Sequence, residues 1–272
     1  MSLPFELIAL DLDYTLLTDA HTISPRNLAA VQRCSAQGAR VVAVSGRMFC
    51  STIRYVHALG LDTPAITYNG AFIKQGRTGD VLLSETLDLA VAKSLVALSA
   101  REELHLNYYL DDTLYVAKET PWGELYSQRT GVPMHPVGDL CALTDRAPTK
   151  ALIVDEPARI AALYDALRPH YGERSYMTIS NAEYLEFMPA GVNKGKALAV
   201  VADYYHIPRA RVATFGDANN DIPMLEWAGI GVAMANATPD ALAVADRIAP
   251  RYDADGVAAV LEELFGFTAC GL

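Results

Sequence analysis

A short apolar run that ends in two carboxylates places the tightest restriction on how this chain can fold. Leu7-Ile8-Ala9-Leu10 runs directly into Asp11-Leu12-Asp13. The run is apolar enough for a buried strand, and residues i and i+2 of a strand share a face. Asp11 and Asp13 are therefore expected to converge at the strand's C-terminal end, the edge where open α/β sheets bind ligands. Two carboxylates held together repel unless a cation or a shared proton compensates them. A hard divalent cation such as Mg²⁺ meets that need, because it takes one or two carboxylates together with waters and phosphate oxygens. The same D-x-D also fits the start of a solvated loop.

Strand and helix patterns alternate through the first third of the chain. Ser24-Pro25 pairs an N-cap residue with Pro at N1, which predicts a helix to about Gln37, stopped by Gly38. Arg40–Val44 is a β-branched run, Arg47–Leu59 reads as a helix, and Pro64–Tyr68 reads as a strand ended by the turn pair Asn69-Gly70. Continuous apolar strands alternating with helices predict a parallel sheet covered on both faces. The rhythm returns after Pro189, with helices at Asn193–Tyr205, Asp221–Ala228, Pro239–Ala245 and Gly256–Leu264, and strands at Arg211–Phe215 and Gly229–Ala233.

The middle of the chain differs. Leu104–Leu110, Asp111-Asp112 and Thr113–Ala117 read as a hairpin, and Ser175–Ser180 and Glu183–Met188 as further strands. Helical patterns occur at Leu87–Arg101 and Glu156–Pro169. Eight of the 14 tyrosines lie between residues 85 and 189. The expected architecture is an α/β core, residues 1–84 and 190–272, interrupted by an α+β insertion over 85–189.

Three more motifs carry chemistry. Gly216-Asp217-Ala218-Asn219-Asn220-Asp221 follows the apolar run Val212–Phe215, so a second strand ends in acids and amides. If the two strands are neighbours, Asp11, Asp13 and Asp217 crowd one point, and three carboxylates together imply a metal. Helix capping by Asn219 or Asn220 accounts for one residue of that string. Ser45-Gly46-Arg47, at a strand end before a helix, suits an anion, though a plain N-cap reads the same way. Asn193-Lys194-Gly195-Lys196 puts two lysines at a helix N-terminus, where the macrodipole disfavours cations. A bound anion would explain them, and so would a solvated surface turn.

Composition excludes several classes. The 272 residues are 51% hydrophobic, too apolar for a disordered chain. The net charge of −10 is the wrong sign for a nucleic-acid backbone. The longest uncharged stretch, Trp227–Pro239, falls short of the ~18 residues of a membrane helix and is broken by Gly229, Gly231 and Asn236. The first basic residue is Arg26, so no signal peptide is expected. Cys34, Cys50, Cys141 and Cys270 form no C-x-x-C, and are expected to be thiols of a reducing cytoplasm.

Taken in order, D-x-D-x-T, S-G-R, K-G and G-D-x-x-N-D, with Ile66–Ala71 (ITYNGA) and Gly231–Ala237 (GVAMANA), resemble the haloacid dehalogenase-like (HAD) superfamily. More narrowly they resemble its Cof-type phosphatases with a type IIB cap. The resemblance spans essentially the whole chain. It implies a Rossmann-like parallel-sheet HAD core with an inserted α+β cap domain, and hydrolysis of a phosphate ester through an aspartyl-phosphate. By that likeness Asp11 is the nucleophile and Asp13 the general acid and then base. Leu12, Ser45, Gly46, Lys194 and Asn220 are the phosphate-binding positions. Asp11, Asp13 through its carbonyl, Asp217 and Asp221 are the Mg²⁺ positions, and Thr15, Arg47 and Asn69 support them. One departure stands out: the family usually has Gly where this chain has Tyr14, expected to point away from the metal on an extended segment.

The implied partner is a small phosphorylated metabolite, such as a sugar phosphate or a phosphorylated cofactor. No nucleic-acid or membrane partner is expected, and the protein is expected to be a monomer or homodimer. A phosphomutase shares the core and cap type but needs a second anion site, and residues 85–189 carry a net −7. A non-catalytic phosphometabolite-binding module is a third reading, against which the intact Asp11, Asp13, Lys194 and Asp217 count. The cap is expected to close over the core, with hinges near Ser84–Glu85 and Pro189–Gly191. Tyr108, Tyr184 and Glu186 are the candidate specificity residues. His57, His105 and His135 are expected on surfaces or in helices, without a role.

Overall fold

The computed structural model describes residues 3–267. Two compact units emerge: one joins the segments that end at Leu83 and begin at Asn193, and the other spans Ser84–Val192.

In the first unit, β1 (Leu7–Asp11), α1 (Pro25–Ala36), β2 (Arg40–Val44), α2 (Phe49–Ala58) and β3 (Pro64–Thr67) follow one another, then β4 (Phe72–Gln75) and β5 (Val81–Ser84). The Ser24 hydroxyl caps α1 by accepting from the Asn27 amide, with Pro25 at N1. The second unit holds α3 (Leu89–Arg101), β6 (His105–Leu110), β7 (Thr113–Val116), α4 (Pro121–Thr130), β8 (Met134–Pro136), β9 (Lys150–Val154), α5 (Pro157–Tyr171), β10 (Ser175–Asn181) and β11 (Tyr184–Pro189). The chain then returns with α6 (Lys194–Tyr204), β12 (Val212–Gly216), α7 (Ile222–Trp227), β13 (Ile230–Met234), α8 (Pro239–Val244), β14 (Arg247–Ala249) and α9 (Gly256–Leu264).

The core sheet runs β14-β13-β12-β1-β2-β3-β4-β5. β1 lies parallel between β12 (Leu10 opposite Phe215) and β2 (Asp11 opposite Val44). Alternate residues feed two apolar layers. Ile8, Leu10, Val41 and Ala43 pack with Val31, Val257 and Leu261 on one face. Leu7, Ala9, Val42 and Val44 pack with Leu198, Val201 and Met224 on the other. Burial on both faces is why these strands read as unbroken apolar runs.

Beyond the strands expected from the sequence, β4 pairs antiparallel with β3, and β5 lies beside it. In the second unit the sheet runs β10-β11-β9-β6-β7-β8. α4, β8 and β9 are likewise additional to the expected elements. Yet β9 is central there, antiparallel to both β11 and β6. Among the described residues no helix is long and apolar enough to cross a membrane. Cys270 lies outside the described residues.

Candidate active site

The carboxylates gather where β1 and β12 end. Ligand oxygens of Asp11, Asp217 and Asp221 lie within 4.8 Å of one another. Lys194, the first residue of α6, is 1% exposed and donates to Asp11 Oδ1 at 2.7 Å and to Asp221 Oδ1 at 2.5 Å. A backbone close approach places it there: a Cβ on Gly195 would lie 2.3 Å from the Pro223 carbonyl, so α6 packs against the start of α7 only with glycine at that position. Asp221 Oδ2 accepts from the Asp217 and Ala218 amides at 2.9 and 3.0 Å. Both Asp221 oxygens are thus engaged by the protein, and the residue braces Lys194 and the loop after β12. The Thr15 hydroxyl donates to Asp217 Oδ1 at 3.2 Å.

The electrostatics favour an added cation. Burial pushes the Asp11 carboxyl well above its ordinary range; Lys194 opposes this, while Asp221, Asp217 and Asp13 add to it. Burial, then the Asp221 carboxylate, pushes Asp217 up to about 7. Burial alone would lower the Lys194 ammonium, but Asp11 and Asp221 outweigh it and hold it above its usual value. One lysine faces three acids, and hard oxygen donors of this kind suit a hard divalent cation.

β1 ends at Asp11, so strand alternation does not carry on to Asp13. Residues Leu12–Leu16 form a tight π-type turn, with the Leu17 amide donating to the Leu12 carbonyl at 2.9 Å. Leu12 itself is buried. The Asp13 carboxylate pairs with Arg47, while Asp11 pairs with Lys194. Tyr14 corrects the expectation of an extended segment. Its φ is +58°, the left-handed region that glycine adopts without strain. Its carbonyl accepts from Asn236 Nδ2 at 3.0 Å, and its exposed ring stands edge-on to Tyr252 at 5.6 Å.

The loop after β2 adds a second wall. Ser45 is buried, its carbonyl accepts from the Asn69 amide at 3.0 Å, and its hydroxyl accepts from the Arg47 amide at 3.1 Å. Asn69 sits at φ +55° and accepts from Asn220 Nδ2 at 2.8 Å, which ties β3's end to the loop after β12. A Cβ on Gly46 would press on the Asn69 side chain, 3.0 Å from its Oδ1.

The three candidate specificity residues do not share a face. Tyr108 points into the apolar core of the second unit with Ala151 and Phe187, its hydroxyl donating to the Arg146 carbonyl at 2.7 Å. That corrects its assignment as a pocket residue. Glu186 opposes Leu152 on the other face, where Ser180 and Lys150 donate to its Oε1 at 2.7 and 3.5 Å. The Tyr184 hydroxyl accepts from Arg129 at 3.3 Å. His105 is neither exposed nor helical: it is buried in β6, bonded to Asn107 and Thr120. His21, which sequence reasoning missed, lies 3.1 Å from Arg47 Nη2. A lone histidine in a turn gives no sequence signal.

A model of the haloacid dehalogenase-like hydrolases matches residues 8–261. The chain is 33% identical over 274 residues to 5-amino-6-(5-phospho-D-ribitylamino)uracil phosphatase YitU of Bacillus subtilis (strain 168), covering 95% of this chain and 97% of that protein. It is 32% identical over 248 residues to an HMP-PP phosphatase of Enterobacter sp. (strain 638), covering 87% and 86%. The fold, insertion included, matches that of the HAD subclass IIB sugar phosphatase BT4131, with a TM-score of 0.83 at 20% identity over 97% of this chain and 100% of that one. The chain therefore belongs to the haloacid dehalogenase-like hydrolase family, in its Cof-type branch, and is a phosphoric monoester hydrolase.

Proposed function

We propose that the protein hydrolyses a small phosphorylated metabolite, a sugar phosphate or a phosphorylated cofactor, in two Mg²⁺-dependent steps. The observation that carries this reading is the Lys194 ammonium bridging Asp11 and Asp221 beside Asp217. The named substrates of YitU and of the HMP-PP phosphatase support the substrate class.

The side chains of Asp11 and Asp217 and the Asp13 carbonyl would hold the Mg²⁺, with Asp221 behind them. The cation supplies charge neutralisation to the phosphate oxygens. Lys194 fixes Asp11 Oδ1 and leaves Oδ2 to attack phosphorus. The ester P–O bond breaks, and Asp13 gives its proton to the departing oxygen. Asp13, now a carboxylate, takes a proton from water, whose oxygen attacks the phosphorus of phosphorylated Asp11. The P–Oδ2 bond breaks and inorganic phosphate leaves. Ser45, the Gly46 amide and Asn220 would bind phosphate oxygens, and such positioning is what phosphoryl transfer asks of a protein. The test is phosphate release with Mg²⁺ from p-nitrophenyl phosphate and a panel of phosphorylated metabolites at pH 5 to 9. Activity that Asp11→Asn abolishes is expected; no release from any compound, or an active Asp11→Asn, removes the reading.

A further inference from the structure

Arg47 stands outside the Lys194 cluster, and its guanidinium meets the Asp13 carboxylate. Nε donates to Asp13 Oδ2 at 2.7 Å, and Nη2 makes a short contact with Asp13 Oδ1. Two parallel N–H bonds from one planar fork fix a carboxylate in both position and plane, which a single ammonium cannot do. The fork is itself held. The Arg47 side chain is 15% exposed and lies over the buried Tyr55 ring, 5.7 Å from its centroid. His21 Nδ1 meets Nη2 from the turn between Thr18 and Thr22. The backbone is pinned at both ends, with the Arg47 amide on the Ser45 hydroxyl and its carbonyl accepting from the Tyr68 amide at 2.9 Å. Asp13, by contrast, lies in the tight Leu12–Leu16 turn, immediately before the left-handed Tyr14, and is 36% exposed. Its carboxylate takes its orientation from Arg47.

We propose that Arg47 is the positioning residue for the proton-transferring carboxylate of Asp13, reached through its paired Nε and Nη2 donors. This rests on the two-step hydrolysis proposed above. Positioning of a general acid matters in proportion to how badly the leaving oxygen needs a proton. p-Nitrophenolate leaves without one, whereas unsubstituted phenolate and alkoxides do not. Loss of Arg47 should therefore make the rate depend more steeply on leaving-group basicity. A residue that bound the phosphate, or merely stabilised the fold, would slow all esters alike.

The experiment measures kcat/KM, which covers steps up to departure of the alcohol, for phenyl phosphate and p-nitrophenyl phosphate in Mg²⁺. The two differ in the ring substituent. In Arg47→Ala the phenyl to p-nitrophenyl ratio is expected to fall about ten- to a hundredfold relative to the unmodified protein. Arg47→Lys keeps the charge but not the fork, and should also lower the ratio; it carries the test if Arg47→Ala does not fold. Asp13→Asn should lower the ratio by itself, and adding Arg47→Ala to it should lower it no further. An unchanged ratio in an active Arg47 variant, or a further fall in the double variant, overturns the inference and leaves the hydrolysis reading standing. An unmodified protein that releases no phosphate overturns both.

Discussion

The Thr15 hydroxyl reaches Asp217 Oδ1 at 3.2 Å across 202 positions of sequence, and so fastens the loop after β1 to the loop after β12. Thr15 is fully buried, and this bond fixes which Asp217 oxygen is available. Thr15→Val keeps the shape and removes the donor. It should lower Mg²⁺ affinity or activity about tenfold and cost about 1 kcal/mol of stability. Titration calorimetry with Mg²⁺ and a melting curve check both figures; an unaltered affinity would show the bond to be incidental.

Lys194 is the sole ammonium among the described residues that bridges the acidic cluster. Lys194→Met strands two buried carboxylates, and breaking a buried pair on one side costs about 3–5 kcal/mol. The variant should melt far below the parent in the absence of metal and show no turnover. A double variant, Lys194→Met with Asp221→Asn, should regain part of the stability and none of the activity. Denaturant unfolding and phosphate release separate the two effects.

Stability and metal response should both depend on pH. Burial pushes the Asp217 carboxyl up to about 7 and Asp11 well above its ordinary range, whereas an unfolded Asp titrates near about 3.9. Between those values the folded chain binds more protons than the unfolded one, so the metal-free protein loses stability as pH rises from about 4 to about 7. Mg²⁺ must displace those protons to bind. The rise in Tm on adding a fixed excess of Mg²⁺ should be larger at about pH 7.5 than at about pH 5. Equal rises at both would contradict the shifts.

Gly195→Ala tests the close approach of α6 and α7. The new Cβ would lie 2.3 Å from the Pro223 carbonyl, with backbone on both sides of the clash. The helices must separate, at a cost of about 1–3 kcal/mol, and Lys194 shifts with them. A variant that melts and turns over like the parent would show that α6 is free to slide.

In the inserted unit, Lys150 is 3% exposed, 3.5 Å from Glu186, and Glu186 Oε2 is buried without a hydrogen-bond partner. Lys150→Met should cost about 3–5 kcal/mol, and adding Glu186→Leu should restore most of it. Thermal melts of the two variants decide; a double variant as unstable as the single one would mean the site is held by its tyrosines.

Most of the core could be read from its residues, because strands buried on both faces leave unbroken apolar runs such as Arg40–Val44 and helices announce themselves by caps such as Ser24-Pro25. That β1 and β12 are neighbours is not in the sequence, where two apolar runs ending in acids make a shared site conditional on it; their parallel pairing meets that condition. The inserted unit was less legible. β9 is the strand on which that sheet depends, yet its five residues carry no flanking turn pair or alternation. Tyr108 and Tyr109 are adjacent aromatics on opposite faces of β6, and composition alone does not tell which face the helices cover. Asp13 shows a different limit: the rule that i and i+2 share a face lapses where the strand stops, one residue after Leu10.

The position of β1 between β2 and β12 has a consequence for synthesis. β2 begins at Arg40, but Val212, the partner of Leu7 on the other flank, emerges from the ribosome long afterwards. Pairings so distant in sequence form slowly, because the closure entropy comes before any contact repays it. Until then the nascent chain holds Asp11 and Asp13 without Lys194, Asp217 or Asp221, and β1 offers an unpaired edge, a template for aggregation. A chain cut short before residue 193 would therefore be inert and adhesive at once, which makes the last eighty residues both the second half of the catalyst and the guard on its first strand.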